Sequence, residues 1–179
     1  MRTHVALLRG VNVGGRNRVP MADLRQLAAG LGWRDVATYV QSGNVLFTAE
    51  EADAGRLARA LERAIAEHLH VRTRVVVLSR DELARVVADN PFPGETNPRA
   101  LHAVLSNEDP GEEALERLAS AERRARAKGG RDELRVVGRT VYLRTPDGLG
   151  NSEVAAQLAR LETSTARNWA TVTKLLALL

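Results

Sequence analysis

Short apolar runs and amphipathic stretches alternate along the chain in one order: strand, helix, strand, strand, helix, strand. That order leaves few folds open. The first run, His4 to Arg9, is apolar from Val5 to Leu8 and stops at Gly10, as a buried strand does. Pro20 suits the first turn of a helix whose Met21, Leu24, Leu27, Ala28 and Leu31 share one face, with Gly30 and Gly32 ending it. Val36 to Val40 and Asn44 to Thr48 are rich in β-branched and aromatic residues and flank Gln41-Ser42-Gly43, which predicts a hairpin. Leu57, Leu61, Ile65 and Leu69 recur every fourth residue and predict a core-facing helix. Val71 to Leu78 sets Arg72 and Arg74 between valines and a threonine, which predicts a strand with one exposed face near its start. The sum is βαββαβ, the ferredoxin-like plan.

Ser79-Arg80-Asp81-Glu82 has the spacing of a capping box opening a short helix. Asn90 to Pro98 then places three prolines in eight positions, which forbids a helix or a central strand. Beyond it the pattern repeats. Ala100 to Leu105 reads as a strand, and Asp109-Pro110-Gly111-Glu112 reads as the cap of a helix ended by Gly129-Gly130. Leu134 to Val137 and Thr140 to Leu143 form a hairpin about Gly138-Arg139. Asn151 or Ser152 caps a further helix, and Thr163, Ser164 or Thr165 caps the last one. His4 to Leu8 matches Leu101 to Leu105 in character, and Gly43 matches Gly138. The expectation is an α+β chain of two similar βαββα halves with a C-terminal helix, arisen by internal duplication. Residues 1–89 form the first half with a connecting helix, 90–99 a proline-rich linker, and 100–179 the second half with the C-terminal helix.

Charge narrows the partners. The net charge of +4 comes from 26 basic and 22 acidic residues, and the only lysines are Lys128 and Lys174. Residues 1–48 hold six arginines against Asp23 and Asp35, so the whole excess lies there and an anionic partner is expected. The chain has no cysteine, which excludes disulfides, thiol nucleophiles and zinc–thiolate sites. Val5 to Leu8 is too short for a signal peptide core, and no stretch reaches the length of a membrane span. A cytoplasmic protein with no membrane association is expected.

Three segments carry candidate chemistry. Arg9 to Arg18 joins a strand to a helix and combines Arg9, Asn12, Gly14, Gly15, Arg16 and Asn17. Glycines admit close backbone approach, and arginines and asparagines supply charge and donors, so the loop describes an anion cradle. Its glycine spacing fits neither the dinucleotide fingerprint nor the P-loop. Gln41, Ser42 and Asn44 place small polar donors at the first hairpin tip. Arg167 and Asn168 fall in the expected first turn of the last helix, where an arginine opposes the helix dipole unless an anion, Glu162 or a phosphate, compensates. The basic run Arg123 to Arg131 reads as a solvated helix end. His68 and His70 do not share a helical face, and neither a metal site nor a triad is fixed by spacing. Asp23, Asp147 and Glu153 are acid or base candidates if folding brings them to a cleft, and Asp23 or Tyr39 would serve if the chain is an enzyme.

Taken together, Leu7-Leu8-Arg9-Gly10-Val11-Asn12-Val13-Gly14-Gly15, Thr38-Tyr39-Val40-Gln41-Ser42-Gly43-Asn44-Val45, Asn90-Pro91-Phe92 and Arg167 to Leu175 resemble the bacterial DUF1697 family over nearly the whole chain. The resemblance implies a duplicated ferredoxin-like α+β fold and no catalytic residue. It also implies a basic residue after Ser152, where this chain has Glu153. The function expected is binding of a phosphorylated ligand at loop 9–18, a small molecule first and nucleic acid second. The alternatives are an enzyme on a small anionic substrate and a structural or partner-binding protein.

Overall fold

The computed structural model describes residues 1–179. They form two compact units, one of residues 1–84 with 174–179, the other of residues 85–173.

The first unit contains β1 (His4–Leu8), α1 (Met21–Gly30), β2 (Arg34–Tyr39), β3 (Asn44–Thr48), α2 (Ala54–Leu69) and β4 (Val75–Ser79). The strands form an antiparallel sheet in the order β2-β3-β1-β4. Side chains alternate across a sheet, so Ala6, Leu8, Val45, Phe47, Val75 and Val77 share the face that packs on Leu24, Ala28, Leu57, Leu61 and Ile65 of α1 and α2. Trp33 stacks on Phe47 with ring centroids 3.7 Å apart. Each large apolar side chain so buried contributes about 1.5–3 kcal/mol. Val5, Leu7, Leu46, Val76 and Leu78 on the opposite face are buried too. The central strands of this sheet therefore show neither face to solvent.

α3 (Arg80–Ala88) follows β4 directly. The predicted capping box is present, since the Ser79 N–H donates to Glu82 Oε2 at 2.8 Å and the Glu82 N–H donates to Ser79 Oγ at 3.2 Å. The strand before it is shorter than expected. It begins at Val75, and 70–74 is a connection in which the Thr73 hydroxyl donates to the Arg9 carbonyl at 2.7 Å.

The second unit contains β5 (Leu101–Ser106), α4 (Glu112–Ala127), β6 (Glu133–Val137), β7 (Thr140–Arg144), α5 (Glu153–Leu158) and β8 (Ser164–Asn168), with α6 (Trp169–Leu178) after it. Its sheet order, β6-β7-β5-β8, is the order of the first sheet. The fold is thus α+β with two similar ferredoxin-like halves and a C-terminal helix. Val104, Val141 and Leu143 pack on Leu118, Ala121, Val154 and Leu158.

Two expectations are corrected here. Ser164 to Asn168, read as the start of the last helix, is a strand antiparallel to β5, with Leu105 opposite Thr165 and Ala103 opposite Arg167. The central strand β5 pairs with β7 on one side only, and β8 satisfies the backbone groups of the other. The helix cap moves with it: Asn168 Oδ1 accepts from the Thr171 N–H at 2.8 Å. Asp109 does not cap α4. Gly111 stands at that position, with no side-chain capping bond. Ser152 does cap α5, accepting from the Ala155 N–H at 2.9 Å. No helix is long and apolar enough to cross a membrane.

Candidate functional site

The β1–α1 connection is a braced miniature hairpin. Val13 and Arg16 form a β-bridge around Gly14 and Gly15, and the Arg16 N–H donates to the Val13 carbonyl at 3.0 Å. Both glycines hold positive φ, +56° and +76°, which this two-residue turn requires. One rung lower the Asn12 N–H donates to the Asn17 carbonyl at 3.1 Å. The Asn12 side chain then locks the neck. Its amide donates to the carbonyls of Val19 (2.9 Å) and Gln41 (2.7 Å), and its oxygen accepts from the Val19 N–H (2.9 Å). The Asn17 amide donates to the Gly10 carbonyl at 3.1 Å. These asparagine donors hold the loop itself.

The β2–β3 turn leans on this neck. The Leu8 N–H donates to the Gly43 carbonyl at 2.8 Å. A Cβ on Gly43 would lie 2.7 Å from Leu8 Cβ and 2.8 Å from Val11 Cγ2, so only glycine fits the approach. Asn44 is fully buried, and its amide donates to the Tyr39 carbonyl and Ser42 Oγ. Val40 holds φ +51°, a left-handed conformation that costs a β-branched residue about 1–2 kcal/mol.

A third connection, 70–74, meets the first where the Arg9 N–H donates to the Arg74 carbonyl at 2.9 Å. Antiparallel pairing thus brings residues 9–20, 40–43 and 70–74 to one end of the first sheet. These stretches hold Arg9, Arg16, Arg18, Arg72 and Arg74 and no acidic residue. Arg74 reaches Glu62 of α2 at 3.6 Å. Arg16, Arg18 and Arg72 are exposed and make no ion pair. The other end of the sheet carries Asp35, Glu50, Glu51, Asp53, Asp81 and Glu82.

The structure therefore brings Arg9, Asn12, Gly14, Gly15, Arg16 and Asn17 together with Gln41, Ser42 and Asn44. Arg167 and Asn168 belong to the second unit. Arg167 is 8% exposed on β8, where its guanidinium donates to Thr165 Oγ1 at 2.7 Å and to the Ala166 carbonyl at 2.9 Å. Burial pushes its pKa down to about 10, which leaves it charged at neutral pH. Arg18, Arg72 and Arg74 complete the basic end. The last two were obscured because residues 71–74 alternate like a strand. The other basic run, by contrast, is paired where it stands at every cation but Arg124. Arg123 meets Glu116 (2.8 Å), Arg126 meets Glu122 (3.4 Å), Lys128 meets Glu153 and Arg131 meets Asp147.

The family model described as "Protein of unknown function (DUF1697)" matches residues 1–142. The chain belongs to the DUF1697 family. The matched DUF1697 region holds all three connections of the basic end and stops before Arg167. No functionally curated protein matches this family member. Among solved structures it is similar to one titled "The structure of conserved bacterial protein SP0830 from Streptococcus pneumoniae". The likeness covers 98% of this chain and 97% of that one, with 22% identity and a TM-score of 0.73, and it concerns the fold alone.

Proposed function

We propose that the basic end of the first unit binds the phosphate backbone of a nucleic acid. The observation that carries this reading is five arginines on three converging connections with no carboxylate among them. Opposite charges within a few ångströms normally cancel such a field, as they do along α4. Here three guanidiniums remain exposed and without an ion pair. The asparagines that a small-ligand cradle would use are engaged in bracing the loop. Exposed arginines on a rigid projection suit an extended polyanion, which releases counterions as its phosphates are neutralised.

The test is fluorescence anisotropy of a labelled 20-residue oligonucleotide, single- and double-stranded, across a salt series. The variant carries Arg16→Ala, Arg18→Ala and Arg72→Ala. A control carries Arg117→Ala, Arg123→Ala and Arg126→Ala on α4. The first should lose affinity on the order of 100-fold at 0.1 M salt and lower the salt slope by about three. Equal losses in both, or a parent that binds neither oligonucleotide at low salt, would overturn the reading.

A further inference from the structure

We infer that the nucleic acid is a duplex and that the hairpin of residues 12–17 enters its major groove. The inference rests on the function proposed above and specifies its ligand.

Three observations carry it. First, ferredoxin-like modules that hold single strands stack bases on an open sheet face, and the central strands of this sheet have no open face. Every residue of β1 is buried, as are the first four of β3 and of β4. Second, the basic end presents no aromatic platform. Its exposed apolar side chains are Val13 and Val40, 67% and 50% exposed, and Tyr39 beside them is half-buried. Valine offers a base no π-face to stack on.

Third, the shape fits a groove. Two paired strands lie about 5 Å apart, so a ribbon with small side chains is roughly 10 Å across. The major groove is about 12 Å wide and 8.5 Å deep, and the minor groove about 6 Å wide. The tip of this ribbon is Gly14-Gly15, with open space where each Cβ would stand. Arg16 and Arg18 are exposed on either side of Asn17, whose left-handed φ of +48° turns the chain there and whose amide is held by the Gly10 carbonyl. Arg16, one residue from the tip, takes the guanine O6 and N7 acceptors that arginine matches in the major groove. Arg18 and Arg72, farther from the tip, take phosphates.

The test uses the full chain, a 20-base-pair DNA duplex and its two separated strands. The parent should bind the duplex at least tenfold more tightly than either strand. It should also protect guanine N7 from dimethyl sulfate and keep its affinity when distamycin fills the minor groove. The variant Gly14→Asn with Gly15→Asn preserves every charge and tolerates positive φ, but widens the tip. It should lose about tenfold on the duplex and nothing on the strands, with an unchanged circular dichroism spectrum and melting temperature. Salt-dependent binding that is equal on strands and duplex, or that leaves N7 unprotected, would overturn the inference and leave the phosphate-binding reading standing. Absence of binding to any of the three would overturn both.

Discussion

The two units share a strand order and differ at the ends of their sheets. In the first unit the connections 9–20, 40–43 and 70–74 carry five arginines and no acid. The corresponding connections of the second unit are 107–111, 138–139 and 159–163. They carry Arg139 and Arg160 against Glu108, Asp109 and Glu162. The first connection shrinks from twelve residues to five, and the hairpin turn from four to two. Both ends are tied together, but by different means. In the first unit the Asn12 amide bridges loop to turn, and in the second the Arg139 guanidinium donates to the Asn107 carbonyl at 2.7 Å. One half thus uses an arginine for its own structure, while the other uses an asparagine and leaves its arginines outward. Equal topology sets where connections meet, and the length and side chains of those connections set the charge of the meeting place.

The comparison breaks most sharply at the turn glycines. Gly43 and Gly138 occupy the same turn of the two hairpins, and both hold positive φ, +72° and +54°. Gly43→Ala drives a Cβ into Leu8 and Val11 and should cost about 3 kcal/mol, from overpacking and backbone strain together. At Gly138 nothing lies within 4 Å of the new Cβ, so Gly138→Ala should cost about 1 kcal/mol. Urea midpoints measure both, and equal shifts would mean that the two turns are braced alike.

The ties come next. Asn12→Ala removes three hydrogen bonds, leaves the part-buried Val19 backbone without its partner and places alanine at positive φ. A loss of about 2–3 kcal/mol is expected. Arg139→Ala removes an exposed bond and should cost under about 1 kcal/mol. Thermal unfolding of the two variants orders the ties directly.

The smallest effect separates two histidines at matching strand positions. His4 and His102 are both buried, and burial lowers both pKa values from the ordinary 6.5. For His4 the nearby Glu82 partly offsets that, and its Nδ1 lies 2.8 Å from the Thr3 hydroxyl. The His102 Nδ1 has no hydrogen-bond partner. A base whose folded pKa is depressed leaves the unfolded chain binding more protons, so the stability it contributes is complete above 6.5 and is lost as pH falls through 6.5 toward the folded value. His102→Gln should flatten the pH dependence of the urea midpoint between pH 7 and 5 more than His4→Gln does. The reverse order would show that Glu82 and Thr3 do not distinguish the two sites.

Local signals made most of this fold legible. Period-four leucines marked α2, the Ser79–Glu82 spacing marked α3, and Gln41-Ser42-Gly43 marked the first turn. β8 was not legible, because Ser164, Thr165 and Asn168 are helix-capping residues and Arg167 is a residue type normally left in water. Only the empty side of β5 explains why they form a strand and why Arg167 is buried. At the basic end, the β1–α1 loop was conspicuous from its glycines and arginines. Its meeting with residues 70–74 was not, since antiparallel pairing of β1 with β4 joins segments more than fifty residues apart. Nor does composition show which donors a loop uses on itself, so Asn12 and Asn17 looked as open to a ligand as Arg16.

The bracing of residues 12–17 bears on timing. A loop pinned at its neck by four side-chain hydrogen bonds would need little backbone ordering to meet the polyanion proposed above. Encounter is then governed by diffusion in the field of the arginines, and association should be fast at low salt and slow steeply as salt rises. Dissociation depends on contacts already in place and should change far less. On the nucleic-acid reading proposed above, such a protein would sample many sites briefly, with its dwell time at any one set by the few side chains at the tip.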